Sequence, residues 1–191
     1  MNFLPKKFII KIPKNIKIIY SENQRVILLL GPFGKKTLKL EIKIRLNLLK
    51  NKIYITKFGF LKVSINKIKK LKGLQGTLIS LLRQKILEAS ILLYKKLKFV
   101  GVGYQAFLLD SFLFRILCLK IGYSHQIYFK LNKKIEFFCY KNTTIFIFGN
   151  FYQMINNISA KLRSYKIPEI YKGKGLLYEN ETITLKKGKK I

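Results

Sequence analysis

The sequence has 191 residues, of which 39 are Lys or Arg and only 8 are Asp or Glu, so its formal net charge is +31. Nearly half of the residues, 49%, are hydrophobic, which excludes a disordered basic tail. A chain of this length can bury a core in one domain or in two small ones. A polyanionic partner would relieve the self-repulsion of so much positive charge.

The cations are mainly lysine, since only five of them are arginine. Lysine acts as a point charge on phosphate, whereas arginine reads base edges with two parallel hydrogen bonds. We therefore expect positioning on folded RNA rather than readout of a base sequence. The abundance of Ile, Lys, Asn, Phe and Tyr, with three Ala and no Trp, is also typical of an AT-rich genome. Part of the lysine excess is then mutational.

Short apolar runs between turn signals predict strands in the first part of the chain. A hairpin is predicted around Ser21–Gln24, and the Gly31–Gly34 segment makes a second turn. The predicted strands are 16–20, 25–30, 37–40, 42–46 and 51–56. From Thr77 the apolar residues recur every three or four positions, which predicts a long helix over about 77–97 with Thr77 as its N-cap.

Strands resume after this helix, with turns at 110–111, 132–133 and 141–142. A second helix is predicted over about 150–165, ending before Pro168. The predicted strands of this half are 99–109, 113–121, 126–131, 135–140 and 144–148. The order of elements indicates an α+β fold with two similar tandem domains, each a small, mostly antiparallel sheet covered by one helix. We assign residues 1–97 and 98–175 to the two domains and 176–191 to a basic, extended tail.

The segment from Arg163 to Gly175, here called the strip, combines cations, aromatic residues and glycines directly after the second predicted helix. Lysine neutralises phosphate charge, tyrosine stacks on a base or covers a sugar, and glycine lets the main chain approach closely. The pattern therefore predicts a contact with a polyanion. Its candidate binding residues are Arg163, Tyr165, Lys166, Tyr171, Lys172, Gly173, Lys174 and Gly175.

Other chemistries find little support in the sequence. Cys118, Cys139 and His125 are the only cysteines and the only histidine, so Cys and His cannot complete a four-ligand zinc site. Glu179 and Glu181, the one close pair of acids, are expected to temper the charge of the tail. We predict no catalytic residue, no metal, no cofactor and no small-molecule substrate.

A dinucleotide site is excluded as well. Residues 101–106 match the pattern G-x-G-x-x-A, but a strand rather than a helix is predicted next, and no acid lies at 121–129. The start of the chain does not resemble a signal or transit peptide. The longest uncharged run, 142–160, is too polar to cross a bilayer, so we expect no membrane insertion.

Three stretches resemble, in order and spacing, the large-subunit ribosomal protein family conventionally numbered six. They are Phe-Val-Gly-Val-Gly-Tyr-Gln-Ala at 99–106, Leu-Lys-Ile-Gly-Tyr-Ser-His at 119–125, and the strip with its continuation through Glu181 and the lysine-rich end. The N-terminal half matches more loosely, mainly through Ile12-Pro13 and 26–34. Gln126, Ile167 and Ile170 stand where this family usually has proline.

The resemblance implies a structural constituent of the large ribosomal subunit with no catalytic activity. It implies that the second domain binds large-subunit rRNA near the stalk base and the factor-binding region, with neighbouring ribosomal proteins and translation factors close by. It adds five candidate RNA-binding residues: Gly101, Gly103, Tyr104, Ser124 and His125. For His125 the alternative is a turn residue or a hydrogen bond inside the sheet.

The AT-rich composition, taken with the resemblance, predicts a mitochondrial ribosome and a gene in the organelle. A plastid or the cytoplasm of an AT-rich bacterium is the alternative. The rival function is that of a basic protein on an anionic membrane surface. That role needs an amphipathic helix whose apolar face is open to lipid, whereas the stripe of the predicted 77–97 helix suits burial against a sheet.

Overall fold

The computed structural model describes residues 8–60, 68–110, 115–131 and 135–188. The chain divides into two compact units, Met1–Leu92 and Leu93–Ile191, each with its own hydrophobic core. Each unit contains one described helix and antiparallel sheets, which confirms the predicted α+β class. Within the described residues, neither helix is sufficiently long and apolar to pass through a membrane.

The first unit contains two three-stranded antiparallel sheets rather than the single sheet expected. One has the order β1 (Ile9–Lys11), β6 (Lys52–Gly59), β5 (Ile42–Asn47). The other has the order β2 (Lys17–Ser21), β3 (Val26–Gly31), β4 (Gly34–Lys39). Apolar residues alternate along these strands, so that one face of each sheet enters the core; the fully buried side chains include Ile27, Leu29, Ile42, Ile53 and Ile55. The predicted strands of this half are confirmed.

Helix α1 runs from Ile68 to Ser90 and covers β3, β4 and β6. Its buried stripe is Leu78, Leu82, Ile86 and Ala89. The prediction of a helix over 77–97 is therefore wrong at both ends. Thr77 is not an N-cap, because it lies inside the helix and its hydroxyl donates to the Leu74 carbonyl at 3.0 Å.

Two features of the sequence hid these boundaries. Gly73 and Gly76 resemble helix breakers, but both lie on the open side of α1, where the helix tolerates them. Beyond Ser90 the apolar residues fit a period of two as well as a period of three or four, and they form strand β7 (Leu93–Val100) of the second unit. The division between units thus falls five residues before the expected boundary.

A buried ionic cluster lies between α1 and β4. The Glu88 carboxylate, 1% exposed, lies 2.8 Å from the Lys85 ammonium and 3.8 Å from that of Lys36, and the Gln84 amide donates to it at 2.9 Å. Burial lowers the pKa of Lys36. The carboxylate therefore compensates a charge that burial disfavours.

The second unit also has two antiparallel sheets. The three-stranded sheet has the order β10 (Ile127–Lys130), β9 (Arg115–Lys120), β8 (Gln105–Asp110). The four-stranded sheet has the order β11 (Ile135–Tyr140), β12 (Thr144–Gly149), β7, β13 (Gly175–Tyr178). Helix α2 (Tyr152–Ser164) covers β7, β12 and β13 and buries Ile155 and Leu162. The prediction of a helix over about 150–165 is confirmed.

Two predictions for this half are wrong. A single strand over 99–109 is replaced by β7 and β8 with a turn between them, because Gly101 and Gly103 take φ values of 147° and 76°. The tail does not begin at Leu176, which is fully buried in β13 and pairs with Phe99. The first residues of the predicted strand 113–121 and the turns at 110–111 and 132–133 fall wholly or partly outside the described residues.

Candidate RNA interface

The strip is a hydrogen-bonded loop between α2 and β13. At its base the Leu176 amide donates to the Lys166 carbonyl at 3.0 Å. Nearer the tip the Glu169 amide donates to the Lys174 backbone carbonyl, and the Gly173 amide donates to the Glu169 backbone carbonyl, both at 2.9 Å. These bonds, with one end in a helix and the other in a sheet, hold the loop in one shape.

The two glycines of the strip have roles within the protein. Gly175 has φ 152°, and a Cβ atom there would lie 2.6 Å from Cα of Pro168. Gly173 has φ 68° and lies close to the Leu185 side chain. Their conformation and contacts explain why glycine stands at both positions. That they also admit an RNA backbone stays a prediction.

Arg163 is engaged by a carboxylate. Its guanidinium binds both oxygens of Glu181, with 3.1 Å between Nε and Oε2, and the Tyr178 amide donates to the same Oε2 at 3.1 Å. The Arg163 hydrogen bond holds the pKa of the Glu181 carboxyl below its usual range. Arg163 thus fixes the segment after β13 to the helix, and its charge is compensated within the protein.

The other side of the strip is covered by this same segment, for which no role beyond tempering charge was predicted. The Lys186 amide donates to the Ile170 carbonyl at 3.2 Å, and residues 181–184 and Lys186 line a hollow with Arg163 and Pro168. Sequence reasoning missed this packing because residues 179–188 form no helix or strand. The only signal was the pair of acids, Glu179 and Glu181, in a basic stretch.

The turn that contains Ser124 and His125 lies beside the strip. The Tyr123 hydroxyl donates to the Tyr165 carbonyl at 2.9 Å, and the Lys166 ammonium lies 4.6 Å from the centre of the Tyr123 ring. His125 stacks on the same ring, with 5.9 Å between centroids. Ser124 and His125 are exposed. Tyr123, which was not among the candidate residues, is therefore the contact between this turn and the strip.

Tyr104, from the motif at 99–106, is a buried residue that packs against the turn at Gly122. The Tyr104 side chain is only 8% exposed. A Cβ atom added at Gly101 would lie 3.0 Å from the Tyr104 ring, and one added at Gly122 would lie 2.9 Å from it. The ring thus fills the space between the two turns, which explains both glycines. Its burial makes Tyr104 a packing residue first. Gly103 faces open space, beside Val102, which is 92% exposed.

A cavity of about 520 Å³ lies between the strip and these turns, beside the contacts that Tyr123 makes. All three motifs contribute to its lining: Tyr104 from 99–106, Tyr123 from 119–125, and several residues of the strip. The residues that line it are Tyr104, Tyr123, Ser164, Tyr165, Lys166, Ile167, Glu169 and Lys174. Tyr171, 58% exposed, and Lys172 stand at the tip of the strip. The result is a concave surface lined by three tyrosines and two lysines, with one carboxylate, that of Glu169. Lysine charge and aromatic rings together suit a phosphate backbone.

The thiols offer no reactive group here. Cys118 is buried and lies 3.0 Å from the Gln126 side-chain oxygen, and burial raises the pKa of Cys139 to about 11. A thiol with a raised pKa stays protonated at neutral pH and is a poor nucleophile. Within the described residues, His, Cys, Asp and Glu form no group of three that could hold a metal ion.

Comparison with known proteins shows similarity along nearly the whole chain. No family model matches it. The chain is 33% identical over 183 residues to "Large ribosomal subunit protein uL6" of Mycoplasmoides gallisepticum, covering 95% of this chain and 93% of that protein. It is 36% identical to "Large ribosomal subunit protein uL6m" of Reclinomonas americana, over 95% of both chains. The uL6 protein of Chloroherpeton thalassium is 33% identical over 96% of this chain and 95% of its own.

Proposed function

Because the chain belongs to the uL6 family of large ribosomal subunit proteins, we propose that it binds large-subunit rRNA through the strip and the two turns beside it. A member of this family is a structural constituent of the large subunit and not an enzyme. The observation that carries the proposal is the meeting of three separate sequence motifs around the rings of Tyr104 and Tyr123, next to the lysines of the strip.

Binding relies on charge presented in a fixed geometry. Lys166 and Lys174 line the concave surface and Lys172 is exposed at the tip of the strip, where their ammonium groups would neutralise phosphates. Tyr171 at the tip would pack on a sugar or a base. The hydrogen bonds that close the strip reduce the entropic cost of binding, because the loop is already ordered.

The family resemblance supports a proposal for the place of this surface on the ribosome. We assign it to rRNA near the stalk base and the factor-binding region, with neighbouring ribosomal proteins and translation factors close by. A mitochondrial ribosome is supported by the AT-rich composition and by the mitochondrial relative. The bacterial relatives support a bacterial cytoplasm equally, so the genome that encodes the chain decides between them.

The rival function at an anionic membrane surface loses its main support in the structure. It required the apolar stripe of α1 to be open to lipid. Leu78, Leu82 and Ile86 of that stripe are instead at most 6% exposed in the core of the first unit.

Salt dependence tests the proposed function directly. Binding of the full chain to large-subunit rRNA would be measured by filter retention over a series of KCl concentrations. Phosphate contacts predict that log affinity falls linearly with log salt, by about 0.7 to 0.9 per contact. A flat dependence would rule out binding by phosphate neutralisation. Co-sedimentation with anionic liposomes at the same salt would instead favour the membrane function.

A further inference from the structure

The four-stranded sheet of the second unit has one face that α2 does not cover. Leu97 and Phe99 of β7 enter the core. Because side chains alternate along a strand, Tyr94, Lys96 and Lys98 point to the opposite side. The same alternation in β11 and β12 brings more aromatic residues to that side. We call this surface the aromatic face; it comprises Tyr94, Lys96, Lys98, Glu136, Phe138, Tyr140, Phe146 and Phe148.

The rings of β7 and β12 form a connected group, and the strand register places a ring of β11 beside it. Strand register places Phe146 between Phe138 and Lys96, and Phe148 opposite Tyr94. The ring centroids of Tyr94, Phe146 and Phe148 lie 6.1 to 6.4 Å apart. The face is therefore a continuous aromatic surface rather than a set of isolated side chains.

These rings are open to solvent to an extent that calls for a partner. Tyr94 is 59% exposed, Phe138 is 55% exposed and Tyr140 is 50% exposed. Contiguous apolar surface on a soluble protein marks a binding site more often than chance. The strip, the turns and the cavity described above use none of these residues.

Cations are interleaved with the rings. The Lys96 ammonium lies 5.3 Å from the centre of the Phe146 ring, and the Lys141 ammonium lies 5.4 Å from that of Tyr140. Lys96 also pairs with Glu179 at 3.1 Å, so its charge is partly compensated within the protein. The face thus offers flat ring surfaces and the ammonium groups of three lysines, Lys96, Lys98 and Lys141, together with the Glu136 carboxylate opposite Phe148.

We propose that the aromatic face is a second RNA-binding surface, which stacks unpaired bases on its rings while its lysines contact the connecting phosphates. The inference rests on the proposed function, because it assumes rRNA as the partner. Every base has a flat face that stacks on an aromatic ring, whatever the sequence. An exposed antiparallel sheet that carries such rings is one established way for proteins to bind single-stranded RNA. Lysine between the rings fits RNA better than it fits a purely apolar protein partner.

The test replaces rings with aliphatic side chains of similar hydrophobicity. The double variant Tyr94→Leu/Phe138→Leu removes two exposed rings from the face and keeps apolar area. Phe58→Leu is the control, because Phe58 is 73% exposed in the first unit. Thermal unfolding of each variant would establish that the fold is retained. The probes are a single-stranded RNA of about twelve uridines and a blunt RNA duplex of the same length.

The double variant should bind the uridine strand roughly five- to hundredfold more weakly than the parent chain. Its affinity for the duplex and the affinities of Phe58→Leu should stay unchanged. Equal binding of the uridine strand by parent and double variant would overturn the proposal and leave the face to a protein partner, which aliphatic side chains would still satisfy.

A second measurement separates this inference from the proposed function. Parent and double variant would be bound to large-subunit rRNA, irradiated at ultraviolet wavelengths, and digested to locate cross-linked peptides. Cross-links at Tyr94 or Phe138 support the proposal, and their absence in a complex that does form overturns it alone. If the parent chain fails to bind rRNA at all, the proposed function itself fails.

Discussion

Arg163 and Glu181, eighteen positions apart, form an ion pair through two parallel hydrogen bonds, and this pair ties the end of α2 to the segment that follows β13. Both side chains are partly buried, at 29% and 24% exposure. Because the segment covers one side of the strip, the pair supports the strip from within the protein.

Loss of this ion pair should loosen the segment more than it weakens the domain. Glu181→Gln is expected to lower the free energy of unfolding by about 1 kcal/mol. Cleavage by trypsin after Lys186 should become faster, since that site is held by the segment's contacts with the strip. Glu22→Gln is the matched control, because Glu22 pairs with Lys43 in an exposed position of the first unit. Equal cleavage rates in parent and Glu181→Gln would contradict the assigned role.

Acidification should remove the contribution of the Arg163–Glu181 ion pair to the free energy of unfolding. The pKa of the Glu181 carboxyl is depressed in the folded protein, chiefly by the Arg163 hydrogen bond. Such a group stabilises the fold above its unfolded pKa of about 4.3, and this stabilisation is lost as the pH falls through the folded-state pKa. The difference in unfolding free energy between parent and Glu181→Gln should therefore be constant near neutrality and shrink below about pH 4. Urea titrations across this range would measure it, and a constant difference down to about pH 2 would be inconsistent with the pair.

Contact between Gly122 and Tyr104 can be separated from backbone strain by a matched substitution. Gly122 and Gly103 have nearly the same φ, 77° and 76°, but only at Gly122 would a Cβ atom meet the Tyr104 ring. Gly103→Ala should cost about 1 kcal/mol of unfolding free energy from strain alone. Gly122→Ala should cost about 1 to 3 kcal/mol more, because the ring must move. Chemical denaturation gives both values, and equal costs would show that the ring does not fix the turn.

Removing two lysines of the strip should weaken rRNA binding without unfolding the domain. Lys172→Ala/Lys174→Ala is expected to make the log–log salt slope shallower by about 0.7 to 0.9 for each phosphate that is no longer neutralised. Lys50→Ala/Lys57→Ala removes the same charge from exposed positions of the first unit and should change the slope less. Filter binding over a salt series measures both. Unfolding of the Lys172→Ala/Lys174→Ala variant would show instead that the strip lysines are structural.

The buried cluster around Glu88 predicts a large effect far from the strip. Glu88→Gln leaves the Lys36 ammonium, 5% exposed, without its carboxylate, which should cost about 3 to 5 kcal/mol. Lys85→Gln keeps that carboxylate beside Lys36 and should cost less. Denaturant titration would compare the two, and a Glu88→Gln protein as stable as Lys85→Gln would mean that water solvates Lys36.

Much of this architecture was predictable because it depends on local periodicity. The alternating runs of β3, β11 and β12 and the stripe of α2 each fit one period only, and the structure confirms them. The boundaries of α1 were missed because its glycines cause no clash on the open side of the helix, and because residues 93–97 fit two periods. The local pattern could not decide whether residues 93–97 form a helix or a strand, because the strand depends on pairing with β12 and β13.

The site was predictable in composition but not in the roles of its residues. The cations, rings and glycines of the strip are visible in the sequence as one segment. Whether Gly175 faces RNA or Pro168, and whether Arg163 faces phosphate or Glu181, depends on residues distant in sequence that no periodicity reveals. The aromatic face was missed for a related reason, because its rings come together only when three strands take their register.

The pairing of β13 with β7 has a consequence for the order of events in synthesis. Leu176 pairs with Phe99, and Glu181 pairs with Arg163, so the strip takes its shape only after residues made much later than most of the sheet have arrived. Any chain that stops short of residue 181 lacks the partners that close the strip. If the strip binds rRNA as proposed, that binding would favour finished molecules over incomplete translation products, which lack the partners that close the strip.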